Sequence, residues 1–205
     1  LQDLLLGQID WDNINYNDLS LSADIYQIVI YENYNQDSYH SLYNFADMLR
    51  VTNDDHNLFD HLQLQNKQII LLKGEFALQQ FTRLLQHYNE LPEKGSPLDS
   101  IFLAYSCKVK DLKEIHLAYK DLRILFDRRF FCKPNQHVLG YEQLPNKEEY
   151  FYAITRDEAN HYTQVLTDYI QTYNRNQITE IMNTITKNLY YSTNTIQDIR
   201  CFLTD

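Results

Sequence analysis

Three short runs constrain this chain more than anything else in it: DIYQIVIY at 24–31, QIILLKG at 68–74 and IFLAYS at 101–106. Each is dense in Ile, Leu, Val or aromatic side chains and too apolar for a solvent-facing strand, so each reads as a buried strand. LFDHLQL at 58–64 stands just before the second run. The polar Gln65-Asn66-Lys67 between them is the right size of connection for a β-hairpin. HVLGY at 137–141 adds a short fifth strand.

Between the strands the period changes from two to three and four. SYHSLYNFADMLRV carries Tyr39, Leu42, Tyr43, Ala46 and Leu49 at helical spacing, and GEFALQQFTRLLQHYNE carries Ala77, Phe81, Leu84, Leu85 and Tyr88. The helix through IHLAYKDLRILFDRRFF places Leu112, Ile115, Tyr119, Leu122, Phe126 and Phe130 on one stripe. Lys113, Glu114, Lys120, Asp121, Asp127 and Arg128 fall mostly opposite, Asp111 is placed to cap the start, and Pro134 forces a turn after the end.

The order strand, helix, hairpin, helix, strand, helix, strand predicts an α+β fold. Its economical form is a ferredoxin-like sheet of about five strands with helices on one face. From about Tyr150 the strand signals stop. TRDEANHYTQVLTDYIQTYN, NQITEIMNTITKNLYY and TNTIQDIRCFLTD are helical in period, with Thr155 and Asp157 near the first start and Ile178, Ile181, Met182, Ile185 and Leu189 as a stripe in the second. The division expected is therefore 1–148 for the α+β body and 149–205 for a helical appendage. Leu1, Leu4, Leu5 and Gln8 mark a short opening helix, and the chain reads as a piece of a longer protein.

Charge and composition narrow the functions. With 18 Lys and Arg against 28 Asp and Glu, the formal net charge of −10 repels phosphate backbones and anionic lipid, so DNA is not gripped by these residues themselves. No apolar run reaches the roughly 18 residues of a membrane span. Cys107, Cys132 and Cys201 are odd in number and lack CxxC spacing, which suits reduced, buried, inert thiols of a cytoplasmic protein.

Catalytic signatures are missing where they would be expected. The four Gly stand isolated at 7, 74, 95 and 140, so no phosphate-cradling glycine loop can be written. His56 and His61 with Asp54, Asp55 and Asp60 form the densest ligand cluster, but they lack metal-ligand spacing and read as a solvated turn. Ser106-Cys107 reads as a buried strand end, and Arg128-Arg129 as cations at a helix C-terminus. Neither cofactor nor metal is expected.

AYKDLRILFDRRFF at 118–131, after the strand IFLAYS and before NQHVLGYEQL at 135–144, resembles the central regulatory domain of YesN-type, AraC-family transcriptional regulators. The residues carrying the likeness are Tyr119, Leu122, Phe126, Arg129, Phe130 and Tyr141. That resemblance implies a degenerate relative of the GGDEF nucleotide-cyclase fold. It also implies a receiver or other sensor on the N-terminal side, and a helix-turn-helix DNA-binding domain beyond the helical segment. A cyclase would seat metal and phosphates at its hairpin turn. Here the hairpin reads LQLQNKQII, without glycine or carboxylate, so the expectation is a catalytically silent, homodimerising transmission module.

Two other readings compete. The 17 Tyr and 10 Phe could line an aromatic pocket for a sugar or nucleotide, which would make the domain a small-molecule sensor. The third is a surviving nucleotide-cyclase or phosphodiesterase relative, which turnover of GTP or ATP with Mg²⁺ would reveal.

Overall fold

A computed structural model describes residues 1–12, 21, 23–33, 45, 46, 49, 58–64, 67–88, 101–133, 136–143, 153–192 and 194–204. The strands are β1 (Tyr26–Asn33), β2 (Phe59–Leu64), β3 (Lys67–Lys73), β4 (Ile101–Tyr105) and β5 (Val138–Gly140). The labelled helices are α1 (Gln2–Leu6), α2 (Gly74–Tyr88), α3 (Ile115–Asp127), α4 (Arg156–Gln171), α5 (Arg175–Tyr191) and α6 (Ile196–Thr204). Phe45, Ala46 and Leu49 are helical as well. The rest of that helix, the loop at 91–99 and the His56, Asp54 and Asp55 cluster lie outside the described residues.

All five strands join one sheet in the order β2-β3-β1-β4-β5. β1 pairs antiparallel with both β3 and β4, and β2 with β3, which is the ferredoxin-like arrangement. β5 then adds parallel to β4, after the long crossover that includes α3. In the hairpin Leu64 faces Lys67, leaving Gln65 and Asn66 as the connection.

The sheet is covered on both faces, not one. Tyr26, Ile28, Ile30, Ile69, Leu71, Phe102 and Ala104 pack with α1 and α3. Val29, Tyr31, Ile70, Leu72, Ile101 and Leu103 pack with α2 and with Phe45, Ala46 and Leu49. The reason is in the strands: successive side chains point to opposite faces, so a run apolar at every position needs a cover on each. The β3-to-α2 corner has no intervening residue. Gly74 turns it at φ 84, a value that strains other residues, and its N–H donates to the Ile25 carbonyl at 2.8 Å.

The motif helix differs from its expectation at both ends. Asp111 caps a short 3₁₀ turn, Leu112–Glu114, by accepting from the Lys113 N–H at 2.9 Å, and α3 begins only after it. α3 stops at Asp127 and tightens into a second 3₁₀ turn, Arg128–Phe131. Tightening from 3.6 to 3.0 residues per turn moves later side chains out of the α-helical stripe. Phe130, expected on the buried stripe, is 53% exposed, and Arg128, expected outside, is fully buried.

The chain divides into two compact units, Leu1–Leu144 and Pro145–Asp205. In the second, α4 and α5 form a hairpin through Tyr173 at φ 54 and Asn174, whose side chain accepts from the Gln177 N–H. Thr155 and Glu158 cap α4 reciprocally, and Thr195 and Asp198 cap α6 in the same way. Asn194 ties the start of α4 to the approach to α6, accepting from the Ile154 N–H at 2.7 Å and donating to its carbonyl at 3.2 Å. Among the described residues no helix is long and apolar enough to cross a membrane.

Candidate functional site

Five of the six residues singled out from the sequence, Tyr119, Leu122, Phe126, Arg129 and Phe130, lie on α3 or the turn after it. Tyr119 and Leu122 are in the core, where burial raises the Tyr119 phenol above its ordinary value, with Arg123 offsetting part of the effect. Phe126 packs edge-on against Phe102 at 5.6 Å. The Phe126 ring also has cations beside it, Lys67 Nζ at 4.8 Å from its centroid and the Arg129 guanidinium at 5.6 Å. Each cation also has a carboxylate: Lys67 pairs with Asp127 at 3.1 Å and Arg129 with Glu32 at 2.7 Å.

This arrangement ties the end of β1, the start of β3 and the end of α3 around one ring. Part-exposed ion pairs contribute about 0–1 kcal/mol each and cation–π contacts about 0.5–1, so the cluster fixes the joint more than it drives folding. Phe130, two residues beyond Arg128, is more than half exposed.

The sixth residue, Tyr141, belongs to a second cluster at the β4–β5 edge. Tyr105 and Gly140 face each other in register. A side chain at Gly140 would meet Tyr105, its Cβ falling 2.7 Å from Tyr105 Cζ, and would also strike the Glu142 carboxylate. The Tyr105 hydroxyl donates to that carboxylate at 3.2 and 3.4 Å. Burial, followed by the charge and hydrogen bond of Glu142, pushes the Tyr105 phenol up to about 12, so it stays a neutral donor at physiological pH. Tyr141 packs edge-on against Tyr105 at 6.3 Å and is 44% exposed.

These rings end a continuous aromatic run that sequence reading missed. His61 stacks on Tyr31, and Tyr31–Phe45, Phe45–Phe81 and Phe81–Tyr105 follow at centroid separations of 5.2, 6.4 and 5.7 Å. From His61 to Tyr141 the contributing residues sit on six different elements, so no local spacing announces them.

The other candidates resolve into hydrogen bonds. His61 pairs with Gln68 at 2.8 Å and Asp60 with Lys73 at 3.1 Å, both across the hairpin. Among the described residues no group of three or more His, Cys, Asp or Glu could hold a metal ion. The Ser106 hydroxyl accepts from the Ile28 N–H at 3.0 Å and donates to the Cys107 carbonyl at 2.7 Å, finishing β4 where the strand leaves the sheet. Cys107 and Cys201 are exposed, against the expectation of buried thiols: Cys107 lies just past the strand's end, and Cys201 is on the outer side of α6. Cys132 is partly buried, and burial pushes its thiol up to about 11.

Two cavities are lined by the described residues. One, of about 410 Å³, lies in the α/β body beside Trp11, Tyr26, Lys110 and Lys113. The other, of about 340 Å³, is an apolar groove within the helical unit lined by Tyr162, Leu166, Ile170, Met182, Ile185 and Phe202. Tyr26 is 1% exposed, and burial raises its phenol above the ordinary value. Contact with the Ala23 backbone offsets part of that shift.

No family model, curated protein or solved structure matches the chain.

Proposed function

We propose that this chain is a non-catalytic regulatory and dimerisation module of an AraC-family transcriptional regulator, of the two-component response-regulator kind, acting in the cytoplasm. A receiver or sensor would lie on its N-terminal side, and DNA would be bound by a helix-turn-helix domain beyond the helical unit. The single observation that carries the reading is the joint around Phe126. The arginine and phenylalanine of the 118–131 motif are used to lock a strand end, a hairpin strand and a helix end together, with each cation held by a carboxylate. A joint of that kind suits a body that passes on a shape, because rotating α3 would have to break both ion pairs.

The hairpin supports the same reading. Its connection is Gln65-Asn66, which offers neither the backbone approach of glycine nor a carboxylate for Mg²⁺. Paired DNA-binding units on repeated half-sites need fixed spacing, and a homodimer of this module would supply it.

The test has two arms. Sedimentation equilibrium of the 205-residue chain is expected to show reversible dimers at micromolar concentration, and incubation with GTP or ATP and Mg²⁺ to leave the nucleotide unchanged. Turnover of either nucleotide, or a monomer at every concentration reached, would overturn the proposal. The reading frame on either side supplies an independent check, expected to encode a receiver and two helix-turn-helix units.

A further inference from the structure

We propose that two copies of this chain associate through the α4–α5 hairpin, the Tyr173 tip of each seating in the apolar groove of the other. The hairpin would serve the dimerisation proposed above, on which this inference rests. A need for a partner is visible in the unit itself. Among the described residues of Pro145–Asp205 the buried apolar side chains are Ile154, Leu189 and Ile199. Helices of this length owe most of their stability to packing an apolar face, and three side chains do not amount to a core. The apolar stripe instead lines the groove of about 340 Å³, where Tyr162, Leu166 and Ile185 are half-buried and Ile170 and Met182 are 54% and 42% exposed.

The tip is a second, independent observation. α4 ends in a Schellman motif: the Asn174 N–H donates to the Tyr169 carbonyl at 3.0 Å and the Tyr173 N–H to the Ile170 carbonyl at 3.1 Å. That motif holds Tyr173 in the left-handed region at φ 54, a position usually filled by glycine. A bulky residue is strained there, and the side chain is 90% exposed, so burial within the chain does not offset the strain. Strained residues cluster where a protein makes its functional contacts, and tyrosine is enriched among the anchors of interfaces.

Shape, charge and area select a second copy as the occupant. An isologous interface needs one patch that carries both knob and hole, and Ile170, which lines the groove, stands three residues before the tip. α4 holds Asp157, Glu158 and Asp168 against Arg156, whereas α5 holds Arg175 and Lys187 against Glu180. Two hairpins meeting as an antiparallel four-helix bundle, with α4 of one beside α5 of the other, therefore bring a net negative helix to a net positive one. Contact between the two copies of α4 would do the opposite. An aromatic side chain buries about 150–250 Å², so two tyrosine rings and the groove walls they cover account for roughly 600–1,000 Å² in all. Ile170 and Met182 of each copy carry the total past the roughly 1,000 Å² expected of a specific interface.

Sedimentation equilibrium of the full chain and its variants tests this surface separately from the existence of a dimer. Tyr173→Gly removes the ring and relieves the strain. Its monomer should melt no lower than the parent's at high dilution, while the dimer dissociation constant rises at least about 30-fold, the loss of a strong interface anchor. Met182→Glu sets a carboxylate in each groove and should weaken association by a similar factor. Phe76→Ser, which removes a 55%-exposed ring from α2 of the body, should change nothing. Circular dichroism matching the parent keeps lost association apart from lost folding. Hydrogen exchange compared above and below the dissociation concentration should show protection gained in α4 and α5. A parent dimer that survives both hairpin variants, or that is lost in Phe76→Ser alone, would overturn this surface and leave a dimerising module in place. A parent that stays monomeric at every concentration would overturn both, and protection of α4 and α5 in that monomer would assign the groove to another part of the same chain.

Discussion

The α/β body and the helical unit use similar helices in opposite ways. α2 and α3 each lay an apolar face on a sheet that is itself buried, and Ala77, Leu78, Phe81, Ile115, Leu122, Leu125 and Phe126 are all nearly inaccessible. α4 and α5 are longer, yet α4 buries no residue and α5 buries Leu189 alone, while Ile170 and Met182 stay 54% and 42% exposed. The helical unit is joined by a few long-range bonds, Asn194 to Ile154 and Asn188 to Tyr162, and the rest of its polar support is local. Its helices are capped by Thr155, Asn174 and Thr195, and its threonines bond back to carbonyls four residues earlier, as Thr163 does to Ala159 and Thr167 to Thr163. Such back-bonding slightly weakens and bends helices, so caps matter more there than in the body. The difference teaches that helical period alone does not tell how a helix is stabilised; a sheet to pack on does.

The sharpest way to break that contrast is to remove a ring from the body. Phe126→Ala takes away a fully buried side chain that touches Phe102, Lys67 and Arg129, and should cost about 3–5 kcal/mol in chemical denaturation. Phe130→Ala, four residues on and 53% exposed, should cost about 0.5 kcal/mol or less. Equal losses would mean that the 3₁₀ turn does not rotate Phe130 out of the core.

The next effect concerns the sheet's edge. Gly140→Ala sets a methyl where the Tyr105 ring and Glu142 carboxylate already lie, so either the ring or the strand must move. About 1–3 kcal/mol should be lost, as for other overpacked sites. The Tyr105 phenol should also fall from about 12 toward its ordinary value as it leaves Glu142 and the core, which alkaline absorbance titration would detect.

How much of this was legible in the sequence follows the same divide. The strands were readable because their apolar runs are local, and so were the hairpin and the α+β class. The double-sided cover was implied by the same runs but needed the pleat to be followed through: IVIY sends Ile28 and Ile30 to α3's side and Val29 and Tyr31 to α2's. The Phe130 and Arg128 exchange was not readable, because nothing in DRRFF marks where an α-helix tightens. Of the candidate site, Tyr119, Leu122 and Phe126 were found by spacing. Glu32, Lys67 and Tyr105 were missed because their partners lie 97, 60 and 37 positions away.

In the helical unit the expected losses are smaller and sited at the ends. Thr155→Ala removes the acceptor for the Glu158 N–H and should cost about 1 kcal/mol, read as faster amide exchange in the first turn of α4. Exchange in β1 and β3 of the body should not change. If the whole chain lost stability equally, the two units would share one cooperative transition and the contrast between packing and capping would fail.

The smallest effect tests the other half of that cap. Glu158 accepts from the Thr155 N–H at 2.8 Å and from its hydroxyl at 2.9 Å, and these bonds lower its pKa below the ordinary 4.5. A carboxyl whose folded value is depressed contributes stability that is complete above the unfolded value and fades as pH falls through the folded one. Helicity at the start of α4 should therefore hold from neutral pH down to about 4.5 and decline below it, followed by the Glu158 carboxyl carbon shift in NMR titration. Glu158→Gln keeps a weaker acceptor without the charge and should flatten that decline while leaving Thr155's own bond to the backbone intact. If the variant fell off with acid as steeply as the parent, the reciprocal cap would contribute through geometry rather than through the charge of Glu158.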